Sequence, residues 1–351
     1  MLLISNNYQQ FIIIFQVEEY KCSMTKTKLK GETSMISYTS PKEKDLYRIF
    51  GDCGNGTTKV EGVLPNNEKI KVVIPTLLSK GEDRMYQGSY IVRDYKGESY
   101  VIGDENKSIN TNITLSKMDL THKLSLFTSI HQIVPNGASI ELFVGLPIHS
   151  YYNSEYRKEY VAFYKEDRVV TLNVNNIEKT FTIEKVIAMP ESVGHVFNYP
   201  VDSLVGIIDI GYTSIDGAVF KDCSPILETV FTLLDGANPF KTKVRDELNK
   251  QLLLNIQPYQ MDEILTKGLY GAKSEQAEEI IYQCRKEYLR KIVNEMLKHS
   301  WEIQSLPIVF TGGGALLLLE VIEEYETFRV SENPVYDNVE GFAEMGMILS
   351  E

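Results

Sequence analysis

The sequence lacks the features that would place it in several common functional classes. Its apolar run FIIIF at residues 11–15 is far shorter than the roughly 20 residues that a helix needs to cross a bilayer. The first ten residues carry no Lys or Arg, so neither a signal peptide nor a membrane helix is expected. Cysteine is scarce, at Cys22, Cys53, Cys223 and Cys284, too scattered for paired metal ligands and too few for a disulfide framework. A reducing cytoplasm is the expected compartment. Positive charge is in deficit: 36 Lys and Arg against 48 Asp and Glu leave a formal charge of −12. That balance opposes direct binding along a phosphate backbone, which needs clustered cations to release counterions. Any link to DNA is expected to run through another protein. The histidines His122, His131, His149, His195 and His299 show no metal-ligand spacing, and each reads as a surface or packed residue. Neither a GxSxG elbow nor a GxxxxGK[ST] loop appears, which removes the usual support for serine hydrolases and P-loop enzymes.

What is present suits two domain cores, given 351 residues and 43% hydrophobic content. Residues 21–44 are polar, rich in Lys, Ser and Thr, and aperiodic, so residues 1–44 are expected to form an extension that is largely linker-like. From Asp45 the run LYRIFGDCGNGTTKVEGVL predicts strand, glycine turn and strand, and SYIVRDYKGESYVIGD predicts a second hairpin about Lys96-Gly97. Asp119 is a candidate N-cap for a helix carrying Leu120, Leu124, Phe127 and Val134. SIELFVGLP has the continuous apolar character of a buried strand. VVTLNVNNIEKTFTIEKVIAMP predicts two strands about an Asn-Asn turn, with Pro190 then suited to the first turn of a helix. SLVGIIDIGYTSIDGAVF repeats the plan of the first hairpin, a weak internal repeat. The second half predicts helices on Phe240, Val244, Leu248 and Leu252, and on Ala277, Ile281, Cys284, Tyr288, Ile292 and Met296. LPIVFTGGGALLLLEVIEEY then reads as buried strand, triple glycine and helix.

Four stretches have chemical potential. In the first turn, Asp52, Gly54, Asn55, Gly56, Thr57, Thr58 and Lys59 combine a strand-end carboxylate suited to hydrated magnesium with glycines that bring backbone amides to phosphate oxygens. Lys59 is placed to reach the β- and γ-phosphates. Taken alone, this stretch is more often an ordinary Asn-Gly hairpin turn. Asp209, Gly211, Tyr212, Thr213, Ser214 and Asp216 follow the same logic, and two such turns describe a clamp closing on phosphates. Gly312, Gly313 and Gly314 clear room for a ribose or base, or simply make a tight turn. Glu191 either orients the water attacking a γ-phosphate or merely complements a helix dipole.

The order of these motifs resembles that of the actin, sugar-kinase and chaperone ATPase superfamily. GDCGNGTTK is similar to its first phosphate motif, DIGYTSID to its second and TGGGA to its adenosine motif. YIVRDYKGESYVIGDEN, FVGLPIHSYY, VIAMPESVG and NPVYDNVEGFAEMGMIL resemble the ParM-like, plasmid-segregating bacterial branch. The resemblance implies an α/β, two-domain actin-like (ribonuclease-H-like) fold with the nucleotide cleft between the domains. Residues 45–202 would form domain I, with a smaller subdomain at about 76–120 and a completing helix from 334–351, and residues 203–333 would form domain II. It further implies ATP or GTP with Mg2+, slow hydrolysis coupled to head-to-tail filaments, and a DNA-binding adaptor protein at a centromere-like plasmid site, with no membrane contact. Asp52 and Asp209 would support the metal, and Glu191 and Asp209 would serve catalysis. The nucleotide would meet Asp52, Gly54, Asn55, Gly56, Thr57, Thr58, Lys59, Gly211, Tyr212, Thr213, Ser214, Gly312, Gly313 and Gly314. Tyr212 stands where small residues are common. Lys241, Lys243 and Arg245 are candidates for base or ribose contact, and adenine and guanine both stay open. The competing readings are a small-molecule kinase of the same superfamily and a chromosomal cell-shape or division scaffold.

Overall fold

The computed structural model describes residues 46–83, 87–104, 116–198, 204–221 and 223–350. The extension expected at 1–44 and the domain boundary expected at 202/203 lie outside the described residues, as does part of the expected smaller subdomain.

Among the described residues the strands form two sheets. The first has nine strands in the order β3-β2-β1-β7-β9-β8-β5-β6-β4. Its centre is β1 (Leu46–Cys53) lying parallel to β7 (Ala138–Leu146), which in turn lies parallel to β9 (Ile177–Pro190). These strands are covered on both faces, which is why β7 reads as a continuous apolar run rather than an alternating one. β2 (Thr57–Val63) and β3 (Lys69–Pro75) continue one flank as an antiparallel meander. The other flank holds β8 (Val169–Val174), β5 (Tyr90–Tyr95), β6 (Glu98–Ile102) and β4 (Leu78–Lys80). The β8–β9 turn is made by Asn175 and Asn176, with φ of 51° and 68°, the left-handed pair that a two-residue hairpin demands and asparagine tolerates.

The second sheet has six strands: β12 (Ser224–Pro225), β11 (Ile215–Lys221), β10 (Val205–Ile210), β14 (Ile308–Thr311) and β15 (Phe328–Val330) in order, with β13 (Phe231–Leu233) on β11. It repeats the core of the first sheet, since β10 and β11 form a hairpin and β14 lies parallel to β10.

Helices cover both sheets. α1 (Leu120–Ile133) is capped by the Asp119 carboxylate, which accepts from the His122 backbone N–H at 3.0 Å. α2 (Ile148–Tyr151), α3 (Ser154–Lys165) and α4 (Val193–Asn198) follow. α5 (Ala237–Leu252) buries Phe240, Val244, Leu248 and Leu252, and beyond α6 (Met261–Lys267) the long α7 (Ser274–Lys298) buries Ala277, Ile281, Cys284, Tyr288, Ile292 and Met296. Both stripes are those that helical spacing predicts. After β14 the chain makes a 3-10 turn, Gly313–Leu318, and only one α-turn, α8 (Leu319–Ile322), so the helix expected after the glycines is shorter and tighter than its leucine run suggests.

The final helix, α9 (Asp337–Ser350), packs on α4, β1, β2 and β7 of the first half. Two glycines make this possible: a Cβ on Gly341 would sit 1.9 Å from the Gly194 carbonyl oxygen, and one on Gly194 would sit 2.7 Å from Asn338 Cα. The backbones of α9 and α4 therefore touch directly. Phe50, Phe143 and Met189 from the first sheet share one buried cluster with Ile207, Phe220 and Val309 from the second and Phe342 from α9. This shared core holds the two strand-end hairpins against one another.

Candidate functional site

The site forms where the two central hairpins turn. In the first, Asp52 lies opposite Lys59 in the β1–β2 register, and Lys59 Nζ donates to Asp52 Oδ2 at 3.2 Å. In the second, Asp209 lies opposite Asp216. The turns meet each other: Asn55 Nδ2 donates to Thr213 Oγ1 at 2.5 Å, and a Cβ on Gly56 would fall 2.7 Å from the Tyr212 ring. The His122 ring, from α1, lies between Asn55 Oδ1 at 3.2 Å and Asp119 Oδ2 at 2.8 Å.

Behind the turns stands a buried ionic group. Lys117 donates to Glu191 Oε1, and both side chains are about nine-tenths buried, at 8% and 11% exposure. Burial pushes the Glu191 carboxyl up to about 8, with Asp52 and Asp209 adding to the rise and Lys117 opposing it. Burial, with the charges of Asp52 and Asp216 adding to it, raises Asp209 to about 6. Asp52 goes the other way, because burial is outweighed there by the positive charges of Lys59 and Lys117. Lys117 is held firmly protonated, its burial overcome by Glu191 and Asp52.

The start of α9 closes the arrangement. Asn338 Nδ2 donates to Asp209 Oδ2 at 2.9 Å, while the Ser192 backbone N–H donates to Asn338 Oδ1 at 3.0 Å. The neighbouring Asp337 accepts from Thr311 Oγ1 and lies 3.2 Å from His195 Nδ1. Beside them, Gly312 has a φ of +78°, and a Cβ there would strike Asp209 Oδ1 at 2.3 Å; one on Gly314 would strike Ile210 at 2.3 Å. Gly313 differs from both, for a Cβ there meets nothing within 4 Å. A separate cavity of about 700 Å³ among Val219, Trp301 and Pro307 shares no residue with this constellation.

Comparison with known proteins explains the architecture. The family model for the N-terminal domain of actin-like proteins matches residues 51–194. A 15-stranded ParM filament from Clostridium botulinum superposes with a TM-score of 0.67 at 18% identity, covering 87% of this chain and 99% of that one. An archaeal actin homologue in complex with ADP gives 0.66 at 17% identity, covering 86% and 99%. The fold is actin-like. Bacillus thuringiensis ParM with ATP gives 0.62 at 13% identity, covering 88% and 99%. No curated protein sequence matches this chain.

The actin-like fold thus brings together the strand-end acids, both glycine-containing turns, the triple glycine and Glu191. One expectation needs correction: Glu191 does not begin a helix. Pro190 ends β9, α4 starts at Val193, and the Glu191 backbone N–H is already used by the Leu146 carbonyl at 2.9 Å. The proline follows an extended strand, so its fixed φ serves a strand end rather than a helix start. Lys59 is occupied by Asp52. Lys241, Lys243 and Arg245 form ion pairs with Asp262, Glu287 and Asp246. Lys117, His122, His195, Asp337 and Asn338 were not singled out as site residues. They lie outside any glycine turn; the packing of α9 on α4 and of α1 on the first hairpin brings in the histidines, Asp337 and Asn338, and Lys117 enters through Glu191.

Among the described residues no group of three or more His, Cys, Asp or Glu is arranged to hold an ion. Asp52 and Asp209 are oxygen donors of the kind that could hold a hydrated Mg2+ shared with substrate phosphates.

Proposed function

We propose that this protein is a nucleotide-driven, filament-forming actin-like protein of the plasmid-partition type. The observation that supports it most is the meeting of two strand-end hairpins from two sheets, joined by Asn55 on Thr213, with Asp52 and Asp209 at their strand ends. Phosphoryl transfer to water depends mainly on positioning and charge neutralisation, and this group supplies both. Bound Mg2+ would neutralise phosphate charge and fix the geometry between Asp52 and Asp209. Backbone amides of the Gly54–Thr58 and Gly211–Ser214 turns would receive phosphate oxygens from the two sides. Burial raises the Glu191 carboxyl and so makes its ionised form a stronger base than a solvated carboxylate toward a positioned water, while Lys117 keeps it in place. The open space beside Gly313 would admit the nucleoside.

A triphosphate gripped from two sides fixes how the two sheets face each other, and that relation is what a head-to-tail filament contact would sense. The surface that another copy meets would therefore depend on the nucleotide. The charge of −12 fits a filament that reaches DNA through an adaptor protein. Right-angle light scattering and negative-stain microscopy with Mg2+ and either ATP or GTP test this reading. Scattering should rise only with triphosphate and Mg2+, and equal assembly in nucleotide-free buffer would overturn it.

A further inference from the structure

We infer that Asn338, on the first turn of α9, is a positioning residue that keeps the Asp209 carboxylate in register with the Glu191 turn during nucleotide cleavage. This rests on the hydrolytic reading above. The side chain is used from both ends: its amide N–H holds Asp209 of the second sheet and its carbonyl holds the Ser192 N–H in the turn that follows β9. Ser192 needs such a hold, because its φ of +66° puts a non-glycine residue in the strained left-handed region. That turn is what aims the preceding residue, Glu191, at Lys117. Asp337 reinforces the same joint by joining Thr311, at the end of β14, to His195 of α4.

The placement is fixed rather than incidental. The Gly194–Gly341 approach seats α9 directly on α4, and Gly312, where a Cβ would strike Asp209 Oδ1 at 2.3 Å, leaves the space that the Asp209 carboxylate occupies. Asn338 donates to Asp209 and accepts from the backbone of Ser192, the residue that follows Glu191, so it ties the two groups to one side chain.

Two variants separate the halves of the bridge. Asn338→Asp keeps the acceptor for Ser192 but loses the donor to Asp209, whereas Asn338→Ala loses both. Phosphate release, fluorescent-nucleotide affinity and thermal melting are measured on the full chain for each. Both variants should lose about tenfold to a hundredfold in kcat, the scale of a small misplacement at a reacting centre, with KM and nucleotide Kd within about threefold of the parent. Asn338→Asp sets a carboxylate against Asp209 and should melt lower than the parent, so Asn338→Ala, which adds no charge, carries the comparison if the acid variant does not fold. If Asn338→Asp hydrolyses at the parental rate, Asn338 only supports Ser192 and the inference fails. Equal losses in Kd and kcat would also overturn it, because they would mean a general collapse of the site. A parent chain that releases no phosphate would instead overturn the hydrolytic reading itself.

Discussion

In the first hairpin the strand-end acid faces a lysine, Asp52 against Lys59, whereas in the second it faces another acid, Asp209 against Asp216. The backbone plan is shared: an antiparallel hairpin, a parallel neighbour behind it, and a turn that bonds to its opposite number through Asn55 and Thr213. The charge is not shared. Asp52 is balanced by Lys59 and Lys117 and is held below the usual carboxylate range, while Asp209 is pushed up to about 6 by burial and by the acids around it. Repetition of a fold thus yields one self-sufficient carboxylate and one that lacks a cation of its own. The second is where an added positive charge gains most.

The strongest way to break this asymmetry is to remove the balanced acid. Asp52→Asn leaves Lys59 without its partner and Lys117 with Glu191 alone, and loss of one member of a buried ionic group costs about 3–5 kcal/mol. Urea denaturation of the nucleotide-free protein should show a loss of that size. A loss below about 1 kcal/mol would mean that the lysines are solvated and the first hairpin is not self-sufficient.

Glu191 sits between the two regimes and tests what their difference does for chemistry. Glu191→Gln preserves an acceptor for Lys117 while abolishing the proton-accepting carboxylate. Phosphate release should fall by one to several orders of magnitude, about 2–4 kcal/mol of barrier at about 1.4 kcal/mol per decade. Nucleotide binding should survive and filaments should outlast those of the parent in a sedimentation time course. Parental turnover would leave Lys117–Glu191 as a structural pair only.

Asp209→Asn erases the unbalanced charge. An acid whose folded pKa is raised is held protonated more tightly in the native state, so it costs stability as pH rises through the gap between its unfolded and folded values. For Asp209 that window runs from 3.8 to about 6, and the partly exposed side chain makes the cost about 2 kcal/mol at neutral pH. Melting curves without nucleotide should show the parent losing stability relative to Asp209→Asn across this window. Parallel curves would show that Asp209 is already compensated. Mg2+-nucleotide should stabilise the parent more than the variant.

Much of this architecture was legible in local chemistry. GDCGNGTTK and GIIDIGYTSIDG announce strand, turn and strand because glycine and asparagine punctuate runs of β-branched residues, and the α5 and α7 stripes are plain helical periods. The joint at α9 was not legible in that way. Asn338 and Asp337 look like ordinary first-turn helix residues, and Lys117 like one more lysine in a polar stretch. Their meaning arises from packing across 142 positions in the case of His195 and Asp337, which no local window contains. The misplaced helix start at Glu191 has the same origin: Pro190 carries the local signature of a first turn, but pairing of β9 with β7 extends the strand through it.

The smallest effect distinguishes what the triple glycine does for the fold from what it does for a ligand, and it bears on the second hairpin alone. Gly312 and Gly314 are explained by packing, since side chains there would collide with Asp209 and Ile210. Gly313 is not, because the space beside its Cβ position is open and its backbone is not left-handed. A branched side chain should therefore be tolerated by the protein and resisted only by whatever occupies that space. Gly313→Val should leave the melting temperature close to that of the parent while weakening nucleotide binding by about tenfold, or about 1.4 kcal/mol. Gly312→Val should lower the melting temperature, through a clash with the Asp209 carboxylate and a strained backbone. Fluorescent-nucleotide titration and thermal melting of both variants give the answer. If Gly313→Val binds as the parent does, the nucleoside lies elsewhere and the glycine run serves only to seat β14 against β10. If it binds weakly while staying folded, the second hairpin is braced on one side by Gly312 and Gly314 and faces the ligand through Gly313.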